Sequence, residues 1–169
     1  MSPERYSRVY RWFSARPAAR AALAACTRFL PLAQAGMYLA LLGLLAARTA
    51  AGEDCMQLLA RAVLVPGAVF VGGSALRAAL NRPRPYQQPG FTPLLPKETG
   101  GKSFPSRHAL SGAVIAMAWL PVNSAVAGVL TVSALAICVT RVLAGVHWVR
   151  DVAAGAALGF GLGALGMLL

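Results

Sequence analysis

The chain has 169 residues, of which 57% are hydrophobic and 12% are charged. Soluble domains usually carry about 25% charged residues, so this composition argues against an ordinary soluble domain and favours a membrane protein. Sixteen Lys and Arg residues against five Asp and Glu give a net charge of +11. Such an excess would indicate nucleic acid binding in a soluble chain. Here the long uncharged runs argue against nucleic acid and favour anionic lipid head groups or phosphorylated lipids as partners.

The first predicted element is a basic segment over residues 1–28, in which six arginines accompany a single acid, Glu4. The arginines are Arg5, Arg8, Arg11, Arg16, Arg20 and Arg28, and between them lie Tyr6, Val9, Tyr10, Trp12 and Phe13. This mixture is typical of an amphipathic helix in the membrane interface, with aromatic side chains among the head groups. It is too charged to span a bilayer and lacks the apolar core of a signal peptide. An arm that binds nucleic acid is the alternative interpretation.

Two apolar runs follow, over residues 29–51 and 56–80. Each is long enough to cross a bilayer core of about 30 Å as a helix. After the second run, prolines forbid continued helix. A polar loop over residues 87–104, which includes Lys97 and Glu98, leads to the second half of the chain.

The second half also predicts transmembrane helices. No charge occurs over residues 109–140, and Pro121-Val-Asn-Ser124 near the middle of this stretch predicts a tight helical hairpin. The last run, residues 152–169, has a glycine at every fourth position: Gly155, Gly159 and Gly163. Small residues at this spacing allow close helix packing. The sequence therefore predicts an all-α, polytopic membrane bundle of about five transmembrane helices, with residues 1–169 forming a single domain.

Three polar clusters interrupt the apolar runs, and each carries groups suited to phosphate. The first cluster contains Arg77, Arg82 and Arg84, with Pro83 and Pro85 stiffening the backbone. Guanidinium groups bind phosphoryl oxygens through two parallel hydrogen bonds. A basic loop that follows the positive-inside rule is the alternative interpretation.

The second cluster ends in Ser106, Arg107 and His108 at the predicted start of a helix. Backbone N–H groups and the helix dipole form an anion site there, and His108 could protonate a leaving oxygen. A histidine at the membrane interface with no chemical task is the alternative interpretation.

In the third cluster, His147 and Asp151 are four residues apart, so on a helix their side chains would share one face. A carboxylate can hold one imidazole nitrogen and leave the other free to attack or to move a proton. Arg141 lies just upstream and could add a fixed positive charge. An ordinary i, i+4 pair at the membrane edge is the alternative interpretation.

Taken together, the three clusters resemble the signature of the type 2 phosphatidic acid phosphatase superfamily, whose site is similar to that of vanadium haloperoxidases. The family pattern is K-x6-R-P, P-S-G-H and S-R-x5-H-x3-D. The matching segments are Arg77-x6-Arg84-Pro85, Pro105-Ser106-Arg107-His108 and Thr140-Arg141-x5-His147-x3-Asp151. Arg77 replaces the family's lysine, Arg107 its glycine and Thr140 its serine, which puts the substrate preference in doubt but removes neither histidine.

The resemblance implies a metal-independent lipid phosphatase that needs no cofactor. His147 would attack phosphorus and form a phosphohistidine, with Asp151 fixing its tautomer. His108 would protonate the leaving oxygen and then activate water. The phosphate oxygens would be held by Arg77, Arg84, Ser106, Arg107 and Arg141.

The implied substrate is a lipid phosphate or diphosphate, with phosphatidylglycerophosphate, phosphatidate and a polyprenyl diphosphate as open alternatives. A non-catalytic membrane scaffold or transporter subunit is the competing class, and the oligomeric state stays open. We expect a multi-pass protein of the cell membrane. The N-terminal arginines favour a site that faces the cytoplasm, although many family members act at the outer face.

Overall fold

The computed structural model describes residues 3–95 and 100–168, and its regular structure within these ranges is helical. Lys97 and Glu98 of the predicted polar loop, and the last residue of the final run, lie outside the described residues. The helices are α1 (Pro3–Ser14), α2 (Pro17–Ala50), α3 (Met56–Leu80), α4 (Arg107–Trp119), α5 (Ser124–Leu143) and α6 (Val149–Leu168). The predicted all-α membrane bundle is therefore confirmed, whereas the single domain stays a prediction.

Four of these helices, α2, α3, α5 and α6, are long and apolar enough to cross a membrane. The fifth predicted membrane helix is α4, which has only 13 residues. At 1.5 Å per residue it extends about 20 Å, less than a bilayer core. The predicted hairpin is present, because α4 and α5 are joined by a short turn in which the Asn123 side chain accepts a hydrogen bond from the Val126 N–H at 3.0 Å. The count of five membrane helices is thus approximate.

The first membrane helix begins at Pro17 rather than at residue 29 as predicted. Proline is well tolerated at the first helical position, because its missing N–H would have no partner there. Alanines follow it closely and favour helix. Only α1 is therefore separate from the membrane helices. On α1 the Tyr6 side chain is buried and Trp12 is exposed.

Helix α4 is the most buried element and packs directly on α6. A Cβ atom at Gly155 would collide with the Ser106 carbonyl, and one at Gly159 with the Leu110 carbonyl. The predicted small-residue face of α6 is thus the surface that admits the α4 backbone. Because α4 follows the second polar cluster and α6 follows His147, this close packing brings two of the three clusters together.

Candidate active site

The three polar clusters meet at one end of the helical bundle. The Ser106 N–H donates to the Asp151 carbonyl at 2.9 Å, which joins the second cluster to the third. Arg77 Nη1 donates to the Pro105 carbonyl at 3.4 Å, and Arg84 Nη1 donates to the Val146 carbonyl at 3.3 Å. These bonds tie the first cluster to both of the others, although 74 positions separate Arg77 from Asp151 in the chain.

His147 and Asp151 are in contact, but not on one helix as predicted. His147 lies in the turn before α6, and Asp151 lies in the first turn of that helix. The chain reverses at Gly145, whose φ of +76° is a left-handed conformation that glycine adopts without steric cost. His147 Nδ1 is 3.5 Å from Asp151 Oδ2, and both side chains are almost fully buried. Because Nδ1 faces the carboxylate, Nε2 is the ring nitrogen left for chemistry.

Ser103 completes this group and was not assigned a role from the sequence. Its hydroxyl donates to Asp151 Oδ2 and lies 3.5 Å from His147 Nδ1. The same carboxylate oxygen accepts a hydrogen bond from the backbone N–H of Trp148 at 3.0 Å. Two donors besides the imidazole therefore fix the carboxylate of Asp151. The one sequence signal for this contact is that Ser103 lies two residues before the Pro105-Ser106-Arg107-His108 motif.

The buried setting of His147 lowers its pKa below the ordinary value for histidine. Loss of hydration is the main cause, and the nearby guanidinium charges of Arg84 and Arg77 act in the same direction. The hydrogen bond and charge of Asp151 oppose this shift without cancelling it. The lowered pKa favours the neutral form of the imidazole at neutral pH, which is the form that the predicted nucleophile requires.

This shift predicts how activity depends on pH. If His147 is the nucleophile, as the sequence predicts, its imidazole must be neutral, so activity would be lost as the pH falls through the pKa of His147. Since that pKa is lowered, we expect the acid limb of kcat/KM to lie below the ordinary histidine value of about 6.5. A pH profile of kcat/KM for the purified protein measures it, and an acid limb above that value would contradict the prediction.

Cations line an open cavity of about 450 Å³ at this end of the bundle. Its walls are formed by Ser74, Arg77, Ala78, Arg84, Gly100, Gly101, Lys102 and Arg107. Arg77 and Arg84 are buried, and hydrogen bonds to backbone carbonyls hold their guanidinium groups in place. Arg107 is exposed. Four positive side chains around one cavity suit an anion with several oxygens.

The remaining predicted site residues occupy different positions. Ser106 precedes α4 and is fully buried, and its hydroxyl has no hydrogen-bond partner among the residues that the structure describes. His108 lies in the first turn of α4 and is partly exposed. Arg141 is buried and donates to the Thr27 carbonyl of α2 at 3.1 Å. At least part of its guanidinium group is therefore bonded to α2, and Arg141 is not among the residues that line the cavity.

Carboxylates are scarce around this site. Within residues 3–95 and 100–168, no group of three or more His, Cys, Asp and Glu side chains could hold a metal ion. The positively charged groups that line the cavity are arginine and lysine side chains.

The fold and the site together define a helical membrane protein with a cation-lined cavity, and Arg84 of that cavity also binds the turn that holds His147. The family model of the PAP2 superfamily matches residues 55–169, and the chain belongs to this superfamily. The resemblance drawn from the three motifs is thereby confirmed.

Two crystal structures share the fold. LpxE from Aquifex aeolicus aligns with a TM-score of 0.61 and 22% identity, over 84% of this chain and 87% of that one. The first transmembrane PAP2 type phosphatidylglycerolphosphate phosphatase from Bacillus subtilis aligns with a TM-score of 0.56 and 24% identity, over 95% of this chain and 90% of that one. No curated protein matches the chain. At these identities the two structures support the fold alone.

Proposed function

We propose that the chain is a multi-pass enzyme of the cell membrane that hydrolyses a phosphomonoester or diphosphate on a lipid through a phosphohistidine intermediate. The observation that carries this proposal is the contact of His147 with the buried Asp151 carboxylate, because Arg84 of the cation-lined cavity also binds the turn that holds His147. A histidine held through Nδ1 is suited to in-line attack by Nε2, and fixed guanidinium groups stabilise charge on the phosphoryl oxygens.

In the first step, His147 Nε2 forms a bond to phosphorus as the bond to the leaving oxygen breaks. His108 donates a proton to that oxygen, and Asp151 stabilises the positive charge that develops on the imidazole. In the second step, His108 takes a proton from water, which attacks phosphorus and releases phosphate from His147. Arg77, Arg84 and Arg107 hold the phosphoryl oxygens in both steps. The buried Ser106 and Arg141 stabilise the surrounding structure, Ser106 through its N–H bond to the Asp151 carbonyl and Arg141 through its bond to the Thr27 carbonyl.

The apolar outer surface of the bundle supports a lipid substrate. Large hydrophobic side chains are well exposed along the membrane helices, among them Leu39, Leu64, Val129 and Val132. Such a surface suits lipid rather than water as solvent. A lipid lying against these helices could place its phosphate in the cavity at their end.

Release of phosphate from defined lipids tests this function. We expect the purified protein in mixed micelles with EDTA to release inorganic phosphate from at least one of phosphatidylglycerophosphate, phosphatidate and a polyprenyl diphosphate. The phosphatase from Bacillus subtilis that shares the fold makes phosphatidylglycerophosphate the first lipid to test. Absence of release from all three would favour the scaffold or transporter subunit.

The same panel tests Arg107, which stands where the family pattern has glycine. We expect Arg107→Gly to raise KM about tenfold or more for the preferred lipid, because one cation of the cavity is lost, and to change kcat less. Arg48→Gly is the control, since the Arg48 side chain is about half exposed, pairs with Glu53 in the turn after α2 and lies outside the cavity lining. Equal KM values for the Arg107 variant and the unaltered protein would contradict a role in binding.

The orientation proposed is a site that faces the cytoplasm. The Tyr6 hydroxyl donates to the Leu143 carbonyl and Arg20 donates to the Leu94 carbonyl, so the basic N-terminus lies at the site end of the bundle. The turn with Glu53 and Asp54, which follows α2, carries acids instead. Basic residues favour the cytoplasmic side.

A reporter fused after the last residue tests this orientation. Helix α6 leads away from the site, so the C-terminus should be outside. We expect an alkaline phosphatase fusion to be active there and a green fluorescent protein fusion to stay dark. The reverse result would place the site at the outer face.

A further inference from the structure

Helix α1 precedes residues 55–169, the part of the chain that matches the family model, yet it contacts the turn that holds His147. The contact is made by Tyr6, which was predicted to lie among lipid head groups and is instead 2% exposed. A buried tyrosine from a peripheral helix needs a structural or functional reason, because burial of a hydroxyl is unfavourable without partners.

The Tyr6 hydroxyl binds two backbone groups from distant parts of the chain. It donates to the Leu143 carbonyl at 3.1 Å, at the last residue of α5, and it accepts the Leu94 N–H at 3.1 Å. A Cβ atom at Gly145 would collide with this hydroxyl. The start of the turn over residues 144–148 is therefore packed against Tyr6.

The Tyr6 ring is linked to the other end of the turn through Phe91. It stacks on Phe91 with centroids 4.2 Å apart and planes inclined by 18°. Phe91 in turn meets Trp148 edge to face at 6.0 Å. The backbone N–H of Trp148 donates to Asp151 Oδ2, the oxygen that faces His147. Tyr6 therefore contacts the start of the turn directly and its end through Phe91, while Arg84 holds the middle through the Val146 carbonyl.

We propose that Tyr6 is a positioning residue for the hydrolysis, which keeps the turn over residues 144–148 in the conformation that presents His147 to Asp151. The inference rests on the proposed function for its catalytic consequence, but not for its structural one. Helix α1 would then help to position the active site, in addition to any role in binding the membrane. Without the hydroxyl, the buried Leu143 carbonyl and Leu94 N–H lose their partner, and the turn gains freedom.

Replacement of Tyr6 by phenylalanine separates this role from general stability. Tyr6→Phe keeps the stacked ring and removes both hydrogen bonds. We expect kcat to fall about tenfold, with KM and the inhibition constant of inorganic phosphate changed less than about twofold, because the arginine cavity is intact. Tyr38→Phe is the matched control: its hydroxyl donates to the Ala62 carbonyl at 2.9 Å and so joins α2 to α3, neither of which carries the turn over residues 144–148.

Unchanged kcat in Tyr6→Phe overturns the proposal. So does an equal fall in kcat in Tyr6→Phe and Tyr38→Phe, because that result would reflect the loss of any interhelical hydrogen bond. A fall in kcat accompanied by an equal weakening of phosphate inhibition would also overturn it, since the whole site would then have been disturbed.

Chemical modification tests the same inference without catalysis. His147 is 4% exposed, so diethyl pyrocarbonate should modify it slowly in the unaltered protein. We expect Tyr6→Phe to raise the rate at His147 severalfold, measured by mass spectrometry, with no change in Tyr38→Phe and with His108 as the internal reference. Equal rates of modification at His147 in all three proteins would overturn the proposal that Tyr6 holds the turn. If the protein hydrolyses no lipid phosphate, the proposed function fails, but this measurement still decides whether Tyr6 holds the turn.

Discussion

Replacement of His147 by alanine is expected to lower kcat by about four to six orders of magnitude, the usual effect of removing a covalent nucleophile. The cavity arginines would still bind the lipid phosphate, so KM should change little. The measurement is phosphate release under single-turnover and steady-state conditions with the preferred lipid. If the variant keeps more than about a tenth of the activity, the nucleophile is wrongly assigned.

His108→Ala provides the contrasting control. Loss of the proton donor should slow cleavage of a lipid ester strongly and should matter less for a substrate whose leaving group needs no proton. With such a substrate the variant should accumulate phosphohistidine, because water is no longer activated. Acid-labile radiolabel on His147 in this variant, and none in His147→Ala, would support the two separate roles.

Much of the fold could be predicted because membrane helices have a strong signature in hydropathy. Helix α3 was predicted with the bounds the structure shows, residues 56–80. The start of α2 was placed too late, since the arginines before residue 29 obscured a helix that continues from Pro17. Charge reports where a helix leaves the hydrocarbon, not where it begins.

The candidate site was predictable for a related reason. Charged groups beside apolar helices are energetically expensive, so clusters of them indicate function. The sequence could not reveal the Ser103–Asp151 contact, because it joins positions 48 apart and depends on how α4 and α6 pack. Nor could it reveal that His147 precedes α6, because the turn depends on the conformation of Gly145. Burial of Tyr6 was missed since an amphipathic pattern does not distinguish lipid from protein as the apolar partner.

Asp151 offers the second large effect, and its environment determines the size. The carboxylate is completely buried, and Oδ2 lies against Ser103, Trp148 and His147. Asparagine has the same shape, but it lacks the negative charge that stabilises a developing imidazolium and favours the reactive tautomer. We expect Asp151→Asn to lower kcat by about two to four orders of magnitude, as for the carboxylate of other histidine–carboxylate pairs.

Ser103→Ala is the graded comparison for this prediction. It removes one donor to the carboxylate and leaves the charge, so kcat should fall only about tenfold. The two variants should also differ in pH dependence. Asp151 raises the pKa of His147 against the effect of burial, so without the charge that pKa falls further. The acid limb of kcat/KM in Asp151→Asn should then lie at lower pH than in the unaltered protein, while kcat is much smaller. An equal loss of kcat in both variants, or an acid limb that moves to higher pH in Asp151→Asn, would show that Asp151 does not act through its charge on His147.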